Sequence, residues 1–154
     1  NSKQAAFNFI HQAARPAAPI FDQQLKEPAI SDVLRMLNEI LTSGSTIYLI
    51  SDFQDLDESS QSTLLQLSVL HQIYAIQITD PAEIKLPKAG IINLKSSIGS
   101  KQRQLDSSSL YQQENYQSVA DDYFTVKKSL FETIAIPYQT ILTTVDKVEQ
   151  IIAF

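Results

Sequence analysis

The sequence predicts an α/β fold: a doubly wound, mostly parallel sheet with helices on both faces, plus a small hairpin. Three observations carry this. Helical and strand patterns alternate along the 154 residues. The strands read as solid apolar runs, which is what strands covered on both faces need. The intervening helices carry apolar residues at helical spacing, the pattern that seats a helix on a sheet.

Residues 2–14 read as a helix, with Ala6, Phe7, Ile10 and Ala14 on one face. Arg15-Pro16 ends it, because proline disfavours helical geometry in the preceding residue. Residues 16–30 hold three prolines and read as an irregular link. A second helix is expected from Ser31 or Asp32, both good N-cap types, with Leu34, Leu37 and Leu41 inward and Gly44 as its stop.

Thr46-Ile47-Tyr48-Leu49-Ile50 is the first strand, expected to be covered on both faces and ended by Ser51-Asp52. Asp55 to His71 reads as a helix with acidic residues in its first turn, suiting the positive end of the helix dipole. Its inward residues are Leu64, Leu67 and Leu70. Ile73 to Ile78 is the second strand, closed by Asp80-Pro81.

Ala89–Leu94 and Arg103–Leu105 form an expected hairpin around Gly99. A long helix spans about Ser109 to Ile134, with the stripe Val119, Tyr123, Val126, Leu130 and Ile134 inward. Pro137 precedes a last strand, Tyr138–Leu142, and Val145–Ile152 reads as a closing helix. The whole is expected to be one domain, residues 1–154.

Composition narrows the chemistry. There is no cysteine, so disulfides, zinc thiolates and cysteine nucleophiles are excluded. Net charge is −5 with Lys and Arg scattered, so no basic stripe exists to neutralise a row of phosphates, and nucleic-acid binding is not expected. The three glycines make no phosphate loop. No apolar run reaches the roughly 20 residues that span a bilayer. The expected location is the cytoplasm. The chain opens without Met, directly into a helical pattern, as a piece of a longer protein would.

Two segments go further. One is Ile47-Tyr48-Leu49-Ile50-Ser51-Asp52-Phe53. The other is Ile73-Tyr74-Ala75-Ile76-Gln77-Ile78-Thr79-Asp80-Pro81-Ala82-Glu83, followed by Leu86-Pro87 and Gly90. Together they resemble the bacterial family called domain of unknown function 58, over about residues 30–154. Members resemble von Willebrand factor A domains and are often encoded beside MoxR-type AAA ATPases. The resemblance implies a truncated von Willebrand factor A-like (Rossmann-like) fold and a non-enzymatic interaction domain acting with such an ATPase. Any membrane anchorage would come through segments outside this chain.

The resemblance also implies a metal-ion-dependent adhesion site at the carboxyl edge of the sheet, built from three loops. Ile30-Ser31-Asp32-Val33 matches the second loop, with Ser31 where the pattern has Thr, and Asp52 matches the third. The first loop, Asp-x-Ser-x-Ser, has no match here. Magnesium wants near-octahedral oxygen ligands, and Ser31 with Asp52 would leave most positions to water. The expectation is therefore no cofactor in this chain, with Mg²⁺ reserved for a complete domain.

Each candidate has a plainer reading. Asp52 is either a metal- or partner-binding carboxylate or a turn residue after a strand. Ser31 is either a ligand or a helix cap. Asp80 and Glu83 form either an acidic rim for a partner or a capped turn. His11 and His71 read as surface or packing residues, and no Ser-His-Asp grouping accompanies them. The rival class is a small hydrolase or ligand-binding domain using Asp52 and Asp80 as acid and base. Finally, Thr46–Ile50 would become an apolar sheet edge if its neighbour is missing, and such edges pair with other chains. A homodimer is expected.

Overall fold

A computed structural model describes residues 28–95 and 102–144, together with Lys3, Gln4, Asn8 and His11, which are helical. The predicted first helix otherwise lies outside the described residues, as do Gly99 and the predicted closing helix at 145–152.

The described elements alternate as expected. They are α1 (Ile30–Ile40), β1 (Thr46–Ser51), α2 (Glu58–Leu70), β2 (Gln72–Thr79) and α3 (Pro81–Ile84). Then follow β3 (Ile91–Lys95), β4 (Gln102–Asp106), α4 (Leu110–Thr133) and β5 (Tyr138–Leu142). β1, β2 and β5 form a three-stranded sheet in the order β1-β2-β5. Both pairings are parallel, with Leu49 opposite Ala75 and Ala75 opposite Tyr138. β3 and β4 make the separate antiparallel pair. The fold is thus α/β, a parallel sheet flanked by helices with a small hairpin attached.

One apolar cluster ties the layers together. Leu34 comes from α1, Ile47 and Leu49 from β1, Leu64 and Leu67 from α2, Ile73 and Ala75 from β2, and Phe131 from α4. Side chains alternate across a strand, so the odd-numbered residues of β1 and β2 share this face.

β1 departs from its expected double cover. Ile47 and Leu49 are buried, but Tyr48 and Ile50 are 59% and 65% exposed. An apolar run cannot by itself say how many faces are covered, because Tyr and Ile suit a half-exposed strand as well. Tyr48 stacks instead on Tyr74, its neighbour across the sheet, with centroids 5.2 Å apart.

The helices shift in detail. α1 starts earlier than expected. Its cap position is Ala29, with no side-chain cap, so Ser31 and Asp32 lie inside the first turn. The amide of Ile30 is satisfied from a distance, donating to Asp55 Oδ2 at 2.8 Å. α2 begins at Glu58 rather than Asp55. Asp57 caps it, its Oδ1 accepting from the Ser60 amide and hydroxyl, each at 2.7 Å. These bonds hold the Asp57 carboxyl below the usual aspartate range. Leu70, expected inward, is exposed.

The long helix keeps part of the expected stripe: Tyr123 is half-buried, and Leu130 and Ile134 pack against the core. Val119 and Val126 are exposed, while Ala120, Lys127 and Phe131 are buried. The inward face runs through 120, 123, 124, 127, 130, 131 and 134, so it departs from the expected stripe at Val119 and Val126. A lysine in the middle of that face hides it from a search for apolar periodicity. Tyr111, in the first turn of the helix, is also exposed.

Candidate functional site

In an open parallel sheet, the carboxyl ends of the strands are where ligands and partners meet the fold. Here that edge is built from the loop between β1 and α2, the turn after β2, the residues after β5, and the inner face of α4.

The β1–α2 loop carries three carboxylates, and each organises backbone. Asp52 Oδ1 accepts from the Gln54 amide at 3.2 Å. Asp55 caps α1, and Asp57 caps α2. Between them Phe53 turns back under the loop with φ +53, an unusual value for a residue with a side chain. Burial holds it there: Phe53 is fully enclosed and meets Phe131 of α4 edge-on, centroids 5.1 Å apart. Ser51 Oγ accepts from the Phe53 amide at 3.1 Å.

After β2, Asp80 caps the short helix α3. Its Oδ1 accepts from the Ala82 amide at 2.7 Å, and its own amide donates to Glu83 Oε1 at 3.2 Å. This reciprocal capping box is the plainer of the two readings of Asp80 and Glu83. Thr143, just past β5, donates to Asp80 Oδ2 at 3.3 Å. Both carboxylates remain exposed.

The register separates the two aspartates. Ser51 pairs with Gln77, so Asp52 lies level with Ile78, two positions short of Asp80. At about 3.3 Å per residue their backbones are offset by about 7 Å along the strands. Ser31 reaches the same edge through Ile30, whose amide is held by Asp55, three residues past Asp52.

α4 closes the edge from the side. Tyr123 donates to the Asp52 carbonyl oxygen at 2.9 Å, and Tyr116 to the Ala82 carbonyl oxygen at 2.7 Å. Burial, then the negative charge of Asp52, pushes the Tyr123 hydroxyl up to about 12. Burial also raises Tyr116, with Glu83 and Asp80 adding to it. One turn from Tyr123, the Lys127 amine sits over the Tyr123 ring, 5.4 Å from its centroid, and the residue is only 8% exposed. Burial lowers its pKa, against the opposing pull of Asp55 and Asp52. Deeper in the sheet, Tyr138 donates to Gln77 Oε1 at 2.6 Å and stacks on Phe131. Gln77 Nε2 and Thr79 Oγ1 are buried beside it without hydrogen-bond partners.

The structure therefore gathers Ser31, Asp52, Asp80 and Glu83 at one edge. It adds Asp55, Tyr116, Tyr123 and Lys127, none of which the sequence reading assigned to a site, although it placed Tyr123 on the inner face of the long helix. The helical spacing of Lys127 with Tyr123 and Phe131 was the available signal for Lys127.

The described residues do not make a magnesium site. Among them no group of three His, Cys, Asp or Glu side chains could hold a metal ion. Asp55 is committed to the Ile30 amide, and Asp52 supplies one carboxylate. A hard divalent ion needs more fixed oxygens than that. Among the described residues, likewise, no helix is long and apolar enough to cross a membrane.

Fold and edge together define an α/β domain with an open parallel sheet and an acidic carboxyl rim. The family described as Protein of unknown function DUF58 matches residues 2–123, and the chain belongs to that family. The match takes in the region before residue 30, upstream of the motifs that carry the resemblance, and stops short of β5. No curated protein and no solved structure matches the chain significantly.

Proposed function

We propose that this chain is a non-enzymatic protein-interaction domain, von Willebrand factor A-like, that works in the cytoplasm with a MoxR-type AAA ATPase. The observation that carries the reading is the exposed acidic rim at the sheet's carboxyl edge, where Asp52 and Asp80 directly follow strands β1 and β2 and Glu83 sits in the capped helix α3. Rigid elements present a binding constellation more accurately than free loops do. The rim is also poorly arranged for shared acid–base work. Asp80 is occupied by its capping box and Thr143, and Asp52 is offset from it along the strands.

Titration calorimetry of the chain against a MoxR-type ATPase tests this. The expected outcome is saturable binding that Asp52→Ala weakens by about tenfold, as loss of one central polar contact does. No binding, or binding indifferent to Asp52→Ala, Asp80→Ala and Glu83→Ala alike, would remove the rim from the account. Phosphatase or esterase turnover lost with Asp52→Ala or Asp80→Ala would replace the interaction reading with the hydrolase one. The same proposal holds that the chain uses no cofactor by itself, Mg²⁺ entering only in a complete domain. It also includes self-association through the β1 edge, where Tyr48 and Ile50 are exposed.

A further inference from the structure

We propose that residues 145–152 of this chain lie as a helix across the outer face of the parallel sheet, over β5 and β2, and leave β1 uncovered. This cover is independent of the partner reading.

Every described helix that feeds the core cluster sits on one side of the sheet. α1, α2 and α4 supply Leu34, Leu64, Leu67 and Phe131, which meet the odd-numbered residues of β1 and β2. α3 begins past the end of β2 and is tied to α4 by Tyr116. The other side of the sheet is apolar too. It carries Tyr48 and Ile50 of β1, Tyr74, Ile76 and Ile78 of β2, and Ile141 of β5. Strand alternation and the pairings Ile50–Ile76 and Ile78–Ile141 set them there.

Exposure on that second side is uneven. On β1, at one edge of the described sheet, Tyr48 and Ile50 are exposed. On β5, at the other edge, Ile141 is half-buried. On β2, Tyr74 and Ile78 are half-buried, and Ile76 is only 5% exposed although it stands outside the core cluster. Neighbours in a sheet shield the flanks of a side chain, but its tip stays open unless something lies above it. The cover therefore lies over β2 and β5, on the side from which the chain leaves β5.

The segment after β5 fits this place. The Thr143 amide donates to the Thr79 carbonyl oxygen at 3.0 Å, so the chain stays beside β2 up to the carboxyl edge. From there the core side is closed, because α4 lies on it with Phe131 stacked on Tyr138. Residues 145–152, as a helix, place Val145, Val148, Ile151 and Ile152 within an arc of about 120°, with Asp146, Lys147, Glu149 and Gln150 outside it. Such a helix is about 12 Å long and about 10 Å across, and strands lie about 4.8 Å apart. One helix thus covers β5 and β2 and stops short of β1, which matches the distribution of exposure.

Methyl nuclear Overhauser spectra of the wild-type chain test this without any substitution. The expected result is contacts from the methyls of Val148 and Ile151 to those of Ile78 and Ile141, with none to Ile50 or Leu130. A second measurement tells the chain's own segment from that of another copy. The chain has no cysteine, so a bridge between two introduced cysteines is read without background. A disulfide needs Cα atoms within about 7 Å. Ile78→Cys, combined in turn with Val148→Cys and Ile151→Cys, should give a disulfide within one chain in at least one pairing. Ile50→Cys with the same two partners should give none. Disulfide-linked dimers in place of the internal bridge would assign the face to a second copy. Bridging at Ile50 would move the cover to β1, and contacts to Leu130 would put the segment on the core side. Any of these, or no contact between the segment and the sheet, would overturn the proposal.

Discussion

Tyr123 shows how much one side chain does at this edge. It bonds the Asp52 carbonyl oxygen just past β1, carries the Lys127 amine over its ring, and meets Phe124 edge-on at 5.3 Å. Its hydroxyl proton is held more tightly in the folded chain, pushed up to about 12 against about 10 for a free tyrosine. A group that binds its proton more tightly when folded stabilises the fold fully below its unfolded pKa. That contribution is lost as pH rises through the folded value. The thermal midpoint of the wild type should therefore fall between about pH 10 and pH 12, and Tyr123→Phe should flatten part of that fall. Tyr116 and Tyr138 are raised too and keep the remainder. At neutral pH, Tyr123→Phe should cost about 1 kcal/mol through the lost hydrogen bond. Thermal unfolding across the alkaline range checks both, and an identical slope in the two proteins would sink the assignment.

At the scale of elements, the β1–α2 loop decides more than the strands and helices it joins. Asp55 caps a helix that begins twenty-five residues earlier in the chain, so α1 starts where the loop allows. Asp55→Ala should free the first turn of α1 at a cost of about 1 kcal/mol, the usual loss for a missing cap. Amide exchange at Ile30 should rise, while α2, capped by its own Asp57, should keep its protection. Loss of protection in both helices together would mean that the loop collapses as a unit. The sequence showed α2 clearly, because Leu64 and Leu67 repeat at helical spacing after a run of acidic residues. It could not show the start of α1. The oxygen that satisfies the Ile30 amide comes from a distant residue, and Ser31 was the better cap by local propensity alone.

For the whole molecule, the parallel sheet leaves β1 at one edge of the described strands, with Tyr48 and Ile50 exposed on the face opposite the core. An apolar edge of this kind is a template for pairing. Under the proposed self-association, light scattering on a sizing column should give a mass that rises towards twice 17.2 kDa with concentration. Ile50→Lys should return it to the monomer, since charge on an edge strand opposes pairing. A monomeric wild type at high concentration would remove the dimer from the picture.

The sequence by itself determined the order of elements, the parallel strands and the family. Solid runs at Ile47–Ile50 and Ile73–Ile78 specify strands through local preference and burial, and Asp-Pro-Ala-Glu specifies the capped turn within four residues. These are short-range properties, legible wherever the residues that interact lie close together in the chain. Only the tertiary structure decided that one face of β1 is open, that α4 turns a lysine inward, and that Asp55 reaches back to α1. Each depends on residues far apart in sequence, seventy-one positions in the case of Tyr123 and Asp52. No local pattern marks such a pair.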